Sequence, residues 1–175
     1  MTQFQANTDT KKRNPAHHVA SIALMVTLAL IFSYVEAIIP YNPGIPGIKL
    51  GIANIVTIIA LYKYSWREAA AVSVIRIIIA GLLFNGLFGA VYSLAGATVS
   101  LIGMIALKKT DLFSIVGVSM AGGVLHNLGQ IIIAAFIIED SRIFAYFPVL
   151  IFSGMISGIA IGFAATIILK ILRRV

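Results

Sequence analysis

Clusters of Lys and Arg alternate with long apolar runs along this chain of 175 residues, and that alternation limits its fold more than any motif does. Lys11, Lys12 and Arg13 precede the first run, Lys63 and Arg67 follow the second, Lys108 and Lys109 the fourth, and Lys170, Arg173 and Arg174 the last. In a chain that crosses a bilayer six times, all of these fall on one side. The other side carries Lys49 and Arg142, the latter beside Glu139 and Asp140, and Arg76 stands alone inside an apolar run. Cytoplasmic loops concentrate Lys and Arg, so both termini are expected in the cytoplasm. The formal charge of +7 is thereby explained without a nucleic-acid partner.

Composition agrees: 60% of residues are hydrophobic, 11% are charged and the mean hydropathy is +1.03, far from the balance of a soluble domain. An all-α, multi-pass protein of the plasma membrane is expected, a six-transmembrane-helix bundle. The runs are about Val19 to Ile39, Leu50 to Tyr62, Ala69 to Phe84, Phe88 to Leu107, Phe113 to Ile138 and Pro148 to Leu172. The second is too short: at about 1.5 Å per residue it covers roughly 20 Å of a core about 30 Å thick. It has to be tilted, half-buried or entered through irregular backbone. Residues 1–16 read as a polar, disordered cytoplasmic tail and 17–175 as one membrane domain, whose first run is longer than a cleavable signal core.

The six acidic residues, Asp9, Glu36, Glu68, Asp111, Glu139 and Asp140, include one adjacent pair. Ionising a diphosphate with magnesium takes clustered carboxylates, and none are in sight. There is no phosphate-cradling glycine loop, no metal-ligand spacing and no cysteine, so no catalytic residue, metal or cofactor is assigned.

Polar residues where a bilayer makes them expensive are the remaining signal. Glu36 lies near the outer end of the first run, Asn54 in the second, Arg76 in the middle of the third, and His126, Asn127 and Gln130 in the fifth. Glu36 and Arg76 are read either as one structural ion pair or as ligand contacts. Gly122, His126 and Gln130 recur every four residues and form one helix face, open to a ligand or to a neighbouring helix. The Pro- and Gly-rich segment from Pro40 to Gly51 cannot be helical throughout, and the helix it enters is expected to present free amides near Lys49, an anion site or a turn with a snorkelling lysine. Small residues at four-residue spacing, such as Gly154, Gly158 and Gly162, or Ala29, Ser33 and Ala37, suit close helix packing. The stripe Ala16, Ala20, Ala23 and Thr27 is a candidate for docking another membrane subunit.

The runs Pro46 to Thr57 (PGIKLGIANIVT), Ser93 to Gly96 (SLAG) and Gly122 to Gln130 (GGVLHNLGQ) resemble the membrane family labelled heptaprenyl diphosphate synthase component I, also called Gx transporters. The likeness runs from about residue 17 to the C-terminus. That family is in turn similar to the S-components of energy-coupling-factor (ECF) transporters: six helices, inward termini, and small residues on the first helix that dock a T-subunit. The resemblance implies a binding subunit working with a T-subunit and two ATPases, its site in the outer half among the last three helices. Substrate contacts are expected from Glu36, Lys49, Asn54, Arg76, Tyr92, His126, Asn127 and Gln130, and partner docking at Ala16, Ala20 and Ala23. The substrate is expected to be small, anionic and partly apolar, a micronutrient or a quinone or isoprenoid precursor. Two alternatives stand beside this: a non-catalytic membrane subunit of a polyprenyl diphosphate synthase, and a free-standing secondary carrier.

Overall fold

A computed structural model describes residues 15–39 and 51–174. The first helix, α1, runs Pro15–Ile38, opening on a proline whose missing N–H costs nothing in the first turn. It is followed by α2 (Asn54–Lys63), α3 (Trp66–Ala80), a π-helical turn (Gly81–Asn85), α4 (Gly86–Lys109), α5 (Ile115–Ile138), a 3-10 turn (Ser141–Tyr146) and α6 (Phe147–Arg174). The expected tail, Lys49 and the Pro/Gly segment up to Leu50 lie outside the described residues.

Four helical stretches are long and apolar enough to cross a membrane: Pro15–Ile38, Trp66–Lys109, Ile115–Ile138 and Ser141–Arg173. The second, at 44 residues, would be about 66 Å long if straight, twice a bilayer core. It is instead two legs. Gly86 has φ +70°, a conformation that costs glycine little, and the chain reverses there. A Cβ on Gly81 would lie 2.5 Å from that of Ala90, a contact that only a fold-back allows. The first leg is therefore α3 plus the π turn, about 30 Å long, and the second is α4. Helix α2, with 10 residues, covers about 15 Å. Its half-span is matched by burial, since Val56 to Leu61 are all buried.

Each helix from α2 to α6 packs on the next, and α6 packs back on α2, so five helices close a ring. Helix α1 lies outside it against α2, α3 and the π turn, burying Val26, Ala29 and Ser33. Apolar side chains such as Leu24, Leu82, Phe136 and Ile156 face outward, as in a bundle whose solvent is lipid.

The tightest seams flank α5. On its α6 side a Cβ on Gly154, Gly158 or Gly162 would lie 2.7 Å from the main chain of α5, at Gly123, Met120 and Val116 respectively. On its α4 side a Cβ on Gly129 would lie 2.7 Å from the Ala95 carbonyl oxygen, and one on Gly96 would lie 2.8 Å from that of His126. The small-residue rows Gly154/Gly158/Gly162, Gly96/Ser100 and Ala29/Ser33 thus pack the bundle internally.

One end of the bundle collects the start of α1, the end of α2, the start of α3 and the end of α4. There His18 Nε2 lies 3.3 Å from Glu68 Oε1, Ser65 hydrogen-bonds Glu68, and Lys108 Nζ donates to the Leu61 carbonyl at 2.6 Å while lying 4.8 Å from the Tyr62 ring centre. Because α5 and α6 form an antiparallel pair, the end of α6 returns to the same side. Lys63, Arg67, Lys108, Lys109, Lys170 and Arg173 therefore gather at one end, and among the described residues the other end holds Arg142 as its basic residue.

Candidate functional site

The ring encloses a cavity of about 30 Å³. All five ring helices line it: α2 through Asn54, Thr57 and Ile58, α3 through Ser73, α4 through Ala97, Ser100 and Met104, α5 through Ser119, Gly122, Gly123 and His126, and α6 through Ile161. Its walls are mainly apolar, set with the hydroxyl, amide and imidazole groups of Asn54, Thr57, Ser73, Ser100, Ser119 and His126 and with no carboxylate among them. At this size it holds one or two waters, an order of magnitude below the space that a drug-sized ligand fills.

Beside it lies Arg76, 9% exposed. Its Nη2 donates to Asn54 Oδ1 at 3.1 Å and its Nη1 to Ser33 Oγ at 3.4 Å, joining α1, α2 and α3. Its Nε has no partner, and the Thr57 and Ser119 hydroxyls, 4% and 2% exposed, have none either. An unmatched buried polar group costs about 1–3 kcal/mol, and more when charged. All three lie in or next to one cavity.

Glu36 does not pair with Arg76. The ion pairs within 4.0 Å among the described residues are His18–Glu68 and Arg142–Asp140. Glu36 Oε1 accepts instead from the Ile52 amide at 2.8 Å, ahead of α2, although its charge is felt at Arg76. The structural ion pair is thus corrected: a backbone amide ahead of a short helix competes for the same carboxylate. The free amides expected at the start of α2 are corrected with it. Ile52 N is held by Glu36, and Asn54, Ile55 and Val56 N bond to Gly51, Ile52 and Ala53 O at 2.9, 3.0 and 3.3 Å. Lys49 lies outside the described residues, so its place beside them is not described.

The polar face of α5 divides between the two roles foreseen for it. Gly122 and His126 reach the cavity, while Gln130 packs on Gly96 of α4. Asn127, one residue round the helix, donates through Nδ2 to the Leu150 carbonyl at 2.7 Å and ties α5 to α6. Tyr92 is half-buried on α4 and is not among the cavity residues. Of the eight expected substrate contacts, Asn54 and His126 line the cavity and Arg76 adjoins it.

Thr57, Ser73, Ser100 and Ser119 were not singled out as ligand contacts from the sequence. A lone Ser or Thr in an apolar helix ordinarily bonds back to its own backbone and gives no signal. Thr57 did carry one, lying three residues after Asn54 and hence on the same face. Ala16, Ala20, Ala23 and Thr27 are all exposed along one side of α1, away from α2 and α3.

No curated protein and no solved structure gives a significant match to the chain. One protein-family profile does, over residues 25–168, from the middle of α1 nearly to the end of α6, taking in the whole ring and its cavity. With most of its length covered by that profile, the chain belongs to the family described as heptaprenyl diphosphate synthase component I.

Proposed function

We propose that this chain is a substrate-binding membrane subunit, the S-component of an ECF-type transporter, which captures a small, anionic and partly apolar molecule for uptake. The observation that carries the reading is the cavity: polar groups without partners inside a bundle that is otherwise apolar, with a cationic side chain beside it and no carboxylates to do chemistry. Such a site binds and releases. Energy then has to come from elsewhere, which is the task of a T-subunit and two ATPases, and the exposed alanine side of α1 offers a bare surface for the former. Six crossings of the plasma membrane with both termini inside belong to this reading, and the gathering of basic residues at one end of the bundle supports it, because cytoplasmic loops concentrate Lys and Arg.

A second reading rests on the family's description. There the chain is a non-catalytic membrane subunit of heptaprenyl diphosphate synthase, holding lipid product for a soluble partner. Isolation of the tagged chain from its native membrane separates the two. Co-purification with two ATPases and a T-subunit, together with ATP-dependent uptake, supports the first. Recovery with a soluble prenyl transferase, or ion-driven uptake by the chain alone, would overturn it.

Orientation has its own test. Ser141→Cys, in the 3-10 turn, is expected to react with an impermeant thiol reagent in intact cells, whereas Lys109→Cys and Lys170→Cys react only after permeabilisation. Labelling of the lysine positions from outside would sink the assignment of sides.

A further inference from the structure

Among the described residues three polar groups are buried without a partner: Arg76 Nε, Thr57 Oγ1 and Ser119 Oγ. Water accounts readily for one or two neutral hydroxyls around a cavity of this size, but not for the arginine. Among the described residues no carboxylate lies within 4 Å of this guanidinium: Glu36, whose charge reaches it, is hydrogen-bonded to the Ile52 amide instead, and membrane interiors tolerate a charge so incompletely matched poorly. Nη1 and Nη2 of Arg76 are held, among the described residues, by neutral oxygens of Ser33 and Asn54.

The positions of the hydroxyls relative to this charge are fixed by helix periodicity. Ser73 stands three residues before Arg76 on α3, and Thr57 three residues after Asn54, the residue that Arg76 binds. Residues so spaced have Cβ atoms about 5–6 Å apart on one helix face. Because Asn54 Oδ1 already meets Arg76, the step from Asn54 to Thr57 sets the spacing between an acid that replaces Asn54 and a group that meets Thr57. Both helices thus step from a cationic end at Arg76 to a neutral, hydroxyl-lined end about one turn deeper, where Ser119 joins from α5. The deeper end has no carboxylate to hold a cation, and Arg76 repels one. Ile58, Met104 and Ile161 supply the apolar wall.

We infer that, within the binding role proposed above, this site recognises a compact apolar carboxylate bearing a hydroxyl or carbonyl oxygen about 5–6 Å from the acid group. The carboxylate takes Arg76 from Asn54, engaging Nε and the nitrogen that Asn54 releases, a fork that suits a planar acid. The neutral oxygen meets Thr57 and Ser119. Since the cavity described here is far smaller than such a molecule, binding is coupled to a parting of the ring around Asn54. A transferred ligand buries no unmatched charge, because each partner satisfies the other.

The probe that matches this spacing is 3-hydroxybenzoate, with benzoate and phenol as its two halves. Binding of each to the purified full chain in lipid nanodiscs is measured by titration calorimetry. 3-Hydroxybenzoate is expected to bind at least tenfold more tightly than either half. Thr57→Val and Ser119→Ala, which keep volume nearly constant, bring it down to the level of benzoate and leave benzoate itself unchanged. Arg76→Gln removes the advantage of benzoate over phenol. Melting temperatures of the same samples identify any variant that failed to fold, in which case Arg76→Lys, which keeps the charge and loses the fork, replaces Arg76→Gln and is expected to weaken both acids. Equal binding of all three probes, binding of none at millimolar concentration, or hydroxyl variants that bind 3-hydroxybenzoate as the wild type does would overturn the inference. In the last case the hydroxyls hold only water. The readout needs neither ATPases nor a T-subunit, so it fails or succeeds separately from the transporter assignment.

Discussion

Gly154→Leu is expected to abolish the folded bundle, giving little or no monodisperse protein on extraction and a melting temperature far below that of the wild type. The new Cβ would lie 2.7 Å from the Gly123 carbonyl oxygen and 2.8 Å from its carbon. Both are main-chain atoms, which cannot turn aside as a side chain would. Helices α5 and α6 would have to separate, and the gap would reach Gly158 and Gly162, whose contacts with Met120 and Val116 are just as close. Overpacking costs about 1–3 kcal/mol in a soluble core. Here the loss is greater in consequence, because lipid supplies no hydrophobic drive to press the helices together again. Ile156, 70% exposed on the same helix, is the control: Ile156→Leu leaves extraction and melting unchanged. A Gly154→Leu protein that melts with the wild type would show that this seam is not what holds the last two helices.

For the transporter proposed above, Ala23→Trp is expected to reduce uptake by the assembled complex at least tenfold while the isolated chain binds its ligand normally. Ala23 and Ala20 are exposed on α1, on a side that none of the described helices covers, and α1 itself stands outside the ring around the cavity. Indole bulk at this point holds a partner helix away, and close approach is what sustains association in a bilayer. The test compares binding with uptake in one variant. A parallel loss of both would mean that the substitution disturbs the bundle itself, and unchanged uptake would move the docking surface off α1.

Much of the scaffold could be read from spacing and charge. The interruption between Phe84 and Phe88 corresponds to the reversal at Gly86, and the ends of the apolar runs lie within a few residues of the helix ends. The short second run kept its meaning as well, since 10 residues cannot span a bilayer and α2 is buried by its neighbours. The interior was harder. Gly122 and Gly123 are adjacent, but a step of about 100° around the helix sends one to Met104 and Ser100 of α4 and the other to Gly154 of α6. Sequence marks both as small without saying which neighbour each will meet. Glu36 and Arg76 are opposite charges, and charge alone pairs them. A free amide ahead of a short helix and a nearby Asn54 were better placed, and neither preference is visible until the backbone is known.

The closing of the ring by α6 on α2 bears on how the protein is made. A helix of 10 residues that ends among the basic residues at one end of the bundle leaves its N-terminal backbone groups within the hydrocarbon, where nothing but protein can cover them. Its cover comes partly from the last helix described, which begins 84 residues after α2 ends and so leaves the ribosome well after it. During synthesis α2 is therefore a segment that neither lipid nor the helices already inserted can fully accommodate. It has to wait at the insertion machinery or at the membrane surface, and the bundle matures from both ends of the chain toward its second helix.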